Sequence, residues 1–278
     1  MLKKQKEISP YIIILASFII IILIGGFLLS LPIATENGQK TNLLEGMFTA
    51  TSAVCVTGLT VNDVSKVYNL FGKTVIMILI QLGGIGIITF SAIVVMMISK
   101  KMGYFTKKLI QEDINANTTF EIQKFVKKVL ITVFTIEIIG AAILFLKFIQ
   151  IFDYKKAIYY SIFHSISAFC NAGFALFTNN LSDFKNSVII NTIIPLLIFF
   201  GGIGFAAILN IYQYFLKKDR RLTTTTRIAI KMSIFLIIFG TILTFILEYS
   251  NNKTLGTLPF FEKIGAAFFQ SVTTRTAG

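Results

Sequence analysis

The sequence predicts an all-α membrane protein built from parallel repeats, each made of a membrane span, a short helix with a loop, and a second span. Three observations predict it: an apolar composition, several uncharged runs long enough to cross a bilayer, and a short segment that recurs between them. Hydrophobic residues make up 55% of the 278 positions, charged residues make up 14%, and the mean hydropathy is +0.78. Soluble domains carry about 25% charged residues, so this composition rules out a disordered chain and argues against an ordinary water-soluble enzyme.

The long apolar runs predict five spans. Residues 11–31 form an uncharged run of 21 residues, which as a helix covers about 30 Å, the thickness of a bilayer core. Lysines precede this run, as in a signal peptide, but the run is longer than the roughly 7–15 apolar residues typical of one. The other predicted spans are residues 74–99, 129–151, 188–216 and 228–247. Pro195 is expected to kink or start its helix, because proline removes a backbone hydrogen bond.

The positive charges alternate along the chain. The formal net charge is +13, and sixteen of the 26 Lys and Arg residues lie before the first span, around the loop from the second to the third, and around the loop from the fourth to the fifth. Cytoplasmic loops of membrane proteins collect Lys and Arg. The pattern therefore predicts a cytoplasmic N-terminus, and it makes the lipid bilayer, with no nucleic acid, the expected partner of this basic chain.

A short apolar segment recurs three times on the side opposite the basic loops. The three stretches, residues 43–59, 157–177 and 260–278, are expected to dip into the bilayer and return rather than to cross it. Aligned without gaps, they read MFTATSAVCVTG, IFHSISAFCNAG and AFFQSVTTRTAG, each with Phe second and Gly last. Those glycines, Gly58, Gly173 and Gly278, are 115 and 105 positions apart, which indicates a repeated unit.

A second matching segment follows each of the first two stretches, as QLGGIGI (residues 81–87) and FFGGIGF (residues 199–205). Both lack the spacing and the preceding strand of a dinucleotide-binding loop, so we interpret them as close helix contacts rather than hinges. The predicted organisation is a first repeat at 1–99, a basic cytoplasmic loop at 100–121, a second repeat at 122–216, and a basic cytoplasmic loop with a truncated third repeat at 217–278.

Such a unit can bind an alkali cation with its backbone alone. A half-helix that ends near the membrane centre presents its C-terminal carbonyls, which are the negative end of its dipole. Gly adopts conformations that other residues resist, and rings of carbonyl oxygens can replace the hydration shell of K⁺. A single small residue more often serves helix packing, but three aligned loops on one side of the membrane favour an ion pathway.

Two other functions stay open at this point. A secondary transporter of another small cation or solute often shows inverted repeats and paired ionisable residues at the membrane centre, whereas these repeats are parallel and Glu137 is nearly alone there. A membrane-embedded enzyme needs a nucleophile with a base, or a metal site. The chain has one His and two Cys and no cluster at metal-ligand spacing, so we predict neither catalytic residues nor a resident metal.

The motifs resemble those of the KtrB/TrkH superfamily of potassium uptake proteins. The resemblance covers nearly the whole chain and is carried by TSAVCVTGLT (51–60), IQLGGIGIITF (80–90), HSISAFCNAGF (164–174) and SVTTRTAG (271–278). The short N-terminus is similar to that of the KtrB branch, because TrkH-like members carry extra helices before the first repeat.

The resemblance implies a K⁺-channel-like pore of pseudo-four-fold symmetry, of which about two and a half units are present, so the chain is expected to be a fragment. It implies K⁺ uptake across a bacterial cytoplasmic membrane, often Na⁺-dependent in the KtrB branch, by a homodimer on a cytosolic nucleotide-binding ring of the KtrA/TrkA type. The K⁺-facing carbonyls carried over by position belong to Val56, Thr57, Gly58, Asn171, Ala172, Gly173, Thr276, Ala277 and Gly278.

Three ionisable side chains near the loops need a separate explanation. An acid inside a span is a functional candidate, yet structural pairing or a hydrogen bond within the bundle is the simpler interpretation of Glu137. His164, on the second half-helix, is expected to be hydrogen-bonded rather than to sense pH. Arg275 would repel K⁺ if it faced the axis, so we expect it to point behind the third loop and to bind backbone or a carboxylate.

Overall fold

The computed structural model describes residues 10–85, 119–216 and 221–276, which form a helical bundle. Two single turns of 3₁₀-helix, Pro32–Ala34 and Ser182–Phe184, lie in the connections. The α-helices of the described ranges are α1 (Pro10–Ser30), α2 (Leu43–Val54), α3 (Val64–Val67), α4 (Leu70–Gly84), α5 (Thr119–Phe148), α6 (Tyr154–Phe169), α7 (Val188–Gly202), α8 (Phe205–Phe215), α9 (Thr224–Glu248) and α10 (Phe260–Thr276).

Most predicted spans correspond to a helix. The first, third and fifth fall on α1, α5 and α9. Val126–Phe148 and Thr224–Glu248 are long and apolar enough to cross a membrane, and α7 with α8 would make a third such span if the bent pair is counted as one. The second predicted span falls on α4, and its part from residue 86 onward lies outside the described residues.

The predicted span over residues 188–216 is a bent pair of helices rather than one straight helix. The segment divides into α7 and α8, whose axes differ by 102°. The break comes directly before Gly204, whose φ of +86° is one that side-chain-bearing residues rarely adopt. Pro195 neither starts nor ends a helix, because it lies inside α7. The glycine of the GGIG segment, and not the proline, therefore turns the chain here.

The helices begin where a polar side chain caps the free backbone N–H groups. Such a cap satisfies donors that have no partner within the helix. The caps of α2, α4, α6, α7 and α9 are, in that order, Asn42, Asn69, Asp153, Ser187 and Thr223. Local sequence thus sets the start of each of these helices, in both the spans and the half-helices.

The helices group into units that follow the sequence repeat. Helices α1, α2 and α4 pack on one another, as do α5, α6 and α7, and α9 packs on α10. Between units, α4 contacts α6 and α7 contacts α10. The second span of one unit therefore touches the half-helix of the next, and this interface occurs twice. The half-helices α2, α6 and α10, called pore helices below, take equivalent places in successive units.

Candidate ion pathway

The loops after the first two pore helices are built by the same hydrogen bonds. We call residues 55–58 loop 1 and residues 170–173 loop 2. The N–H of Thr57 donates to the carbonyl of Ser52 at 2.9 Å, and that of Ala172 donates to the carbonyl of Ser167 at 2.8 Å. One residue earlier in each loop, an N–H donates back to Ala53 or Ala168, at 3.3 and 3.1 Å. The sequence repeat is therefore also a repeat of backbone geometry.

Both loops place two left-handed residues around one central residue. In loop 1, φ is +57° at Val56 and +75° at Gly58, and in loop 2 it is +60° at Asn171 and +71° at Gly173. Positive φ is rare for a β-branched residue such as Val56, and strain of this kind concentrates at functional sites. The backbone follows neither a helix nor a strand at these positions.

The carbonyl oxygens of the two loops are free to accept a ligand. Within the described ranges, no N–H or hydroxyl group donates a hydrogen bond to the carbonyl of any of the positions carried over from the family, namely Val56, Thr57, Gly58, Asn171, Ala172 and Gly173. Ala172 is buried, and the other five residues are half-buried or exposed. The six carbonyls on two equivalent loops are therefore available as ligands for an ion that reaches the loops.

Loops 1 and 2 lie directly against each other. A Cβ atom added to Gly58 would lie 2.5 Å from the carbonyl oxygen of Ala172 and 3.2 Å from the Cα of Gly173. The expectation that the first two loops converge is thus met, and Gly58 is required both by its φ and by this approach of backbone to backbone.

The third pore helix differs from the first two at its end. Helix α10 continues through Thr276, whereas Asn171, 105 positions earlier, has left its helix. In the second unit, hydrogen bonds to α6 and α7 keep loop 2 and the residues after it out of the helical conformation. The described part of α10 makes no equivalent hydrogen bonds. The hydroxyl of Thr276 is 3.2 Å from the Asn171 side chain, so the end of α10 contacts loop 2. Ala277 and Gly278 lie outside the described residues.

The contacts that hold loop 2 open come from α6 and α7. The hydroxyl of Ser167 donates to the carbonyl of Phe174 at 2.7 Å. His164 accepts a hydrogen bond from the N–H of Leu176 at 3.2 Å, while its other ring nitrogen is 2.7 Å from the carbonyl of Tyr160. The Asn171 amide, oriented to satisfy both its ends, donates to Ile198 and accepts from Gly202. The predicted structural, hydrogen-bonded role of His164 is confirmed.

The paired glycines of the GGIG segments pack on the loops. Gly83 and Gly201 lie against the carbonyls that end their own units' pore helices, those of Val54 and Phe169. Gly84 lies against Cys170, where loop 2 of the next unit begins. A Cβ added to Gly202 would lie 3.3 Å from the side chain of Arg275, near the end of the third pore helix. The interpretation of these glycines as close helix contacts is confirmed.

A family comparison can now be set beside this geometry. A model of the TrkH family, described as a cation transport protein, matches residues 4–278. The chain belongs to the TrkH family. It is 38% identical over 278 residues to Ktr system potassium uptake protein B of Bacillus subtilis, covering 99% of this chain and 61% of that protein. It is 36% identical over 274 residues to potassium/sodium uptake protein NtpJ of Enterococcus hirae, covering 99% of this chain and 60% of that protein.

A solved structure of the same family has the same fold. The potassium transporter TrkH from Vibrio parahaemolyticus superimposes with a TM-score of 0.59 at 17% identity, over 97% of this chain and 51% of that one. At this identity the match speaks for the fold alone. The chain spans about three fifths of the length of the curated relatives it matches. The family consists of transport proteins, in agreement with the all-α membrane fold predicted from the sequence.

Arg275 of this TrkH-family chain is hydrogen-bonded to α9, and its partner is not the predicted backbone or carboxylate group. The predicted direction behind the third loop involves residues 277 and 278, which lie outside the described residues. Its Nη1 donates to the hydroxyl of Ser233 on α9 at 2.9 Å. The expected backbone or carboxylate acceptor is absent among the described residues, and Nε and Nη2 are buried without a partner there. Ser233 lies one turn before Ile237, whose carbonyl accepts the hydroxyl of Ser271 at 2.9 Å, so two side chains near the end of α10 bind the same stretch of α9.

Arg275→Ala in the full-length protein is expected to weaken K⁺/Na⁺ discrimination by about 10-fold while costing only about 1 kcal/mol of stability. The stability cost is small because the change removes one hydrogen bond and also two unpaired buried donors. Uptake of each ion by proteoliposomes, with thermal melting in detergent, measures both quantities. Ser233→Ala removes the same bond from the other side and should give a similar ratio. Unchanged discrimination in both variants would contradict the assignment.

The sequence predictions missed several residues that shape the loops. Ser52 and Ser167 accept the loop N–H groups, and Gln81 binds the carboxyl of Glu137 through its Nε2 at 3.0 and 3.2 Å. The shared SA-x-C pattern of the first two stretches carried a signal for the serines. No local signal marked Gln81, because its partner lies in another unit. The predicted pairing of Glu137 within the bundle is confirmed.

A cavity leads from the loop region to the surface between the second and third units. Its volume is about 1140 Å³, and it lies between α6, α7, α9 and α10. Gly173 and Ser167 line it at the loop, and Asp183 and Glu248 line it farther out. Lys185 and Lys253 also line the cavity, so its two carboxylates are balanced by two ammonium groups.

Proposed function

We propose that this chain takes part in K⁺ uptake across the cytoplasmic membrane of a bacterium, as the membrane subunit of a Ktr/Trk-type system. The observation that carries the proposal is the pair of equivalent loops that lie against each other and leave six carbonyl oxygens without a described donor. Two of the chain's relatives are a potassium uptake protein and a potassium/sodium uptake protein, in agreement with the proposal.

The chemistry follows from the kind of ligand that the loops offer. Carbonyl oxygens are neutral, and a ring of them can replace the hydration shell of K⁺ while binding weakly enough for release. The proposed ion ligands are the carbonyls of Val56, Thr57 and Gly58, of Asn171, Ala172 and Gly173, and in the third loop of Thr276, Ala277 and Gly278. The ionisable groups Glu137, His164 and Arg275 are each hydrogen-bonded to protein atoms.

The proposed assembly is a multi-pass homodimer with a cytoplasmic N-terminus, docked on a cytosolic ring that binds nucleotides. The basic segments at 100–128 and 217–231 support a cytoplasmic docking face, because they carry thirteen of the 26 Lys and Arg residues. Na⁺ is proposed as a coupled ion, in line with the Enterococcus relative, which is a potassium/sodium uptake protein. Pull-down from detergent with the candidate ring tests the docking.

K⁺ uptake by the full-length protein tests the proposed function. The gene is expected to restore growth of a K⁺-uptake-deficient bacterium at limiting K⁺. In proteoliposomes, K⁺ should compete with radiolabelled Rb⁺ much better than Na⁺ does. Vesicles without protein give the background rate. Protein that reaches the membrane but supports neither growth nor flux, or in which Na⁺ competes with Rb⁺ as well as K⁺ does, would contradict the proposal.

A further inference from the structure

Glu137 is a buried acid whose described partners are all neutral. It is 4% exposed in α5, and Nε2 of Gln81 donates to both of its oxygens at 3.0 and 3.2 Å. The thiol of Cys170 lies 3.9 Å from Oε1. In the described ranges the one ion pair joins Lys66 to Asp63. Burying a carboxyl without a cation is costly, so its presence needs a reason beyond stability.

The partners of Glu137 lie on two sides of loop 2. Gln81 belongs to α4 of the first unit. Cys170 caps the C-terminus of α6 and directly precedes Asn171, the first proposed ion ligand of loop 2. Gly84, one turn after Gln81, packs tightly against Cys170. The Glu137 carboxyl therefore connects α4 of the first unit to Cys170, the first residue of loop 2. The backbone of Cys170 has little room to move there, because Gly84 packs against it.

Helix packing alone does not require an acid at this position. The hydroxyl of Ser165 donates to the backbone carbonyl of Glu137 at 2.7 Å and lies against Gly140, three residues later. In the third unit, Ser271 makes the same contact with Ile237 at 2.9 Å and lies against Gly240. An apolar residue thus serves the equivalent contact between α9 and α10. The carboxyl of Glu137 is an addition to that contact.

We propose that Glu137 is a positioning residue for loop 2, which holds Cys170 and Gln81 and thereby fixes the carbonyl oxygens of residues 171–173 at the spacing that selects K⁺. The proposal rests on the proposed K⁺ uptake. An ion smaller than K⁺ is bound well only if the oxygens can move inward around it. Holding Cys170 at the start of loop 2 in a fixed position opposes that movement. In metal sites, residues that hydrogen-bond to the ligands hold them in place in the same way.

Glu137→Ile in the full-length protein tests the role, because it copies the residue that the third unit uses. The variant is expected to reach the membrane in normal amount, while its K⁺/Na⁺ uptake ratio falls about 10-fold and its KM for K⁺ rises. Glu137→Gln keeps two hydrogen-bonding atoms and is expected to restore most of the ratio. Ile237→Leu, at the equivalent position of α9, controls for altered packing and should leave the ratio unchanged.

A purely structural role predicts a different result. Glu137→Ile with the wild-type ratio and KM would overturn the proposal. If Glu137→Ile does not reach the membrane, Cys170→Ala and Gln81→Leu remove the two partners of Glu137 separately. A wild-type K⁺/Na⁺ uptake ratio in both of these variants would also overturn the proposal. If the wild-type protein takes up no K⁺ in the same vesicles, the proposed function fails, and this proposal with it. An active wild type with an unaltered Glu137→Ile variant rejects the positioning role alone.

Discussion

Gly58→Ser in the full-length protein is expected to lower the K⁺/Na⁺ uptake ratio by about 100-fold, the upper end for a disturbed ligand site. Two effects of the added side chain act together. A φ of +75° costs a residue with a Cβ about 1 kcal/mol. That Cβ would also lie 2.5 Å from the carbonyl oxygen of Ala172, so loop 2 must move as well. One substitution thus displaces the proposed ligands of both loops.

Gly38→Ser is the matched control for this prediction. Gly38 also has a positive φ, of +64°, but an added Cβ there meets nothing within 4 Å. It therefore shares the backbone strain without touching a loop, and its uptake ratio should remain that of the wild type. Uptake of both ions by proteoliposomes decides the matter. Equal ratios in the Gly58 and Gly38 variants would show that loop 1 does not contact the ion.

The form of the two loops could be predicted because it depends on neighbours in the sequence. Ser52 and Ser167 accept N–H groups from residues five positions later, at 2.9 and 2.8 Å, and both pairs lie within the aligned stretches. A helix end and the turn after it are local structures. Similar sequences at these places, SAVCVTG (52–58) and SAFCNAG (167–173), therefore form similar turns, and the small residues allow the turns to meet.

Contacts between units could not be predicted in this way. Gln81 and Glu137 are 56 positions apart, and Arg275 and Ser233 are 42 apart. Their pairing depends on how each helix is rotated about its axis, and a helix that is apolar on all sides does not record its rotation in the sequence. The uncharged run at 188–216 likewise did not reveal the bend at Gly204. Hydropathy indicates how long an apolar segment is, but not whether its helix axis changes direction.

Gly201→Ala is expected to destabilise the folded protein by about 3 kcal/mol, as overpacking does in a dense core. The added methyl group would overlap the carbonyl oxygen of Phe169, which ends α6. That atom belongs to backbone and cannot rotate away, so α7 must separate from the pore helix. The expected result is a lower melting temperature in detergent and less protein in the membrane. Gly83→Ala, which meets the carbonyl of Val54 in the first unit, should have the same effect.

Gly265→Ala separates this contact from the general effect of replacing a glycine. Gly265 lies inside α10, and an added Cβ there meets nothing within 4 Å. Alanine is the better helix former by about 1 kcal/mol, so this variant should be as stable as the wild type or more so. Equal melting temperatures for the Gly201 and Gly265 variants would mean that α7 does not approach the end of α6 as described. The packing of the second span on its loop would then no longer explain why the GGIG segment recurs.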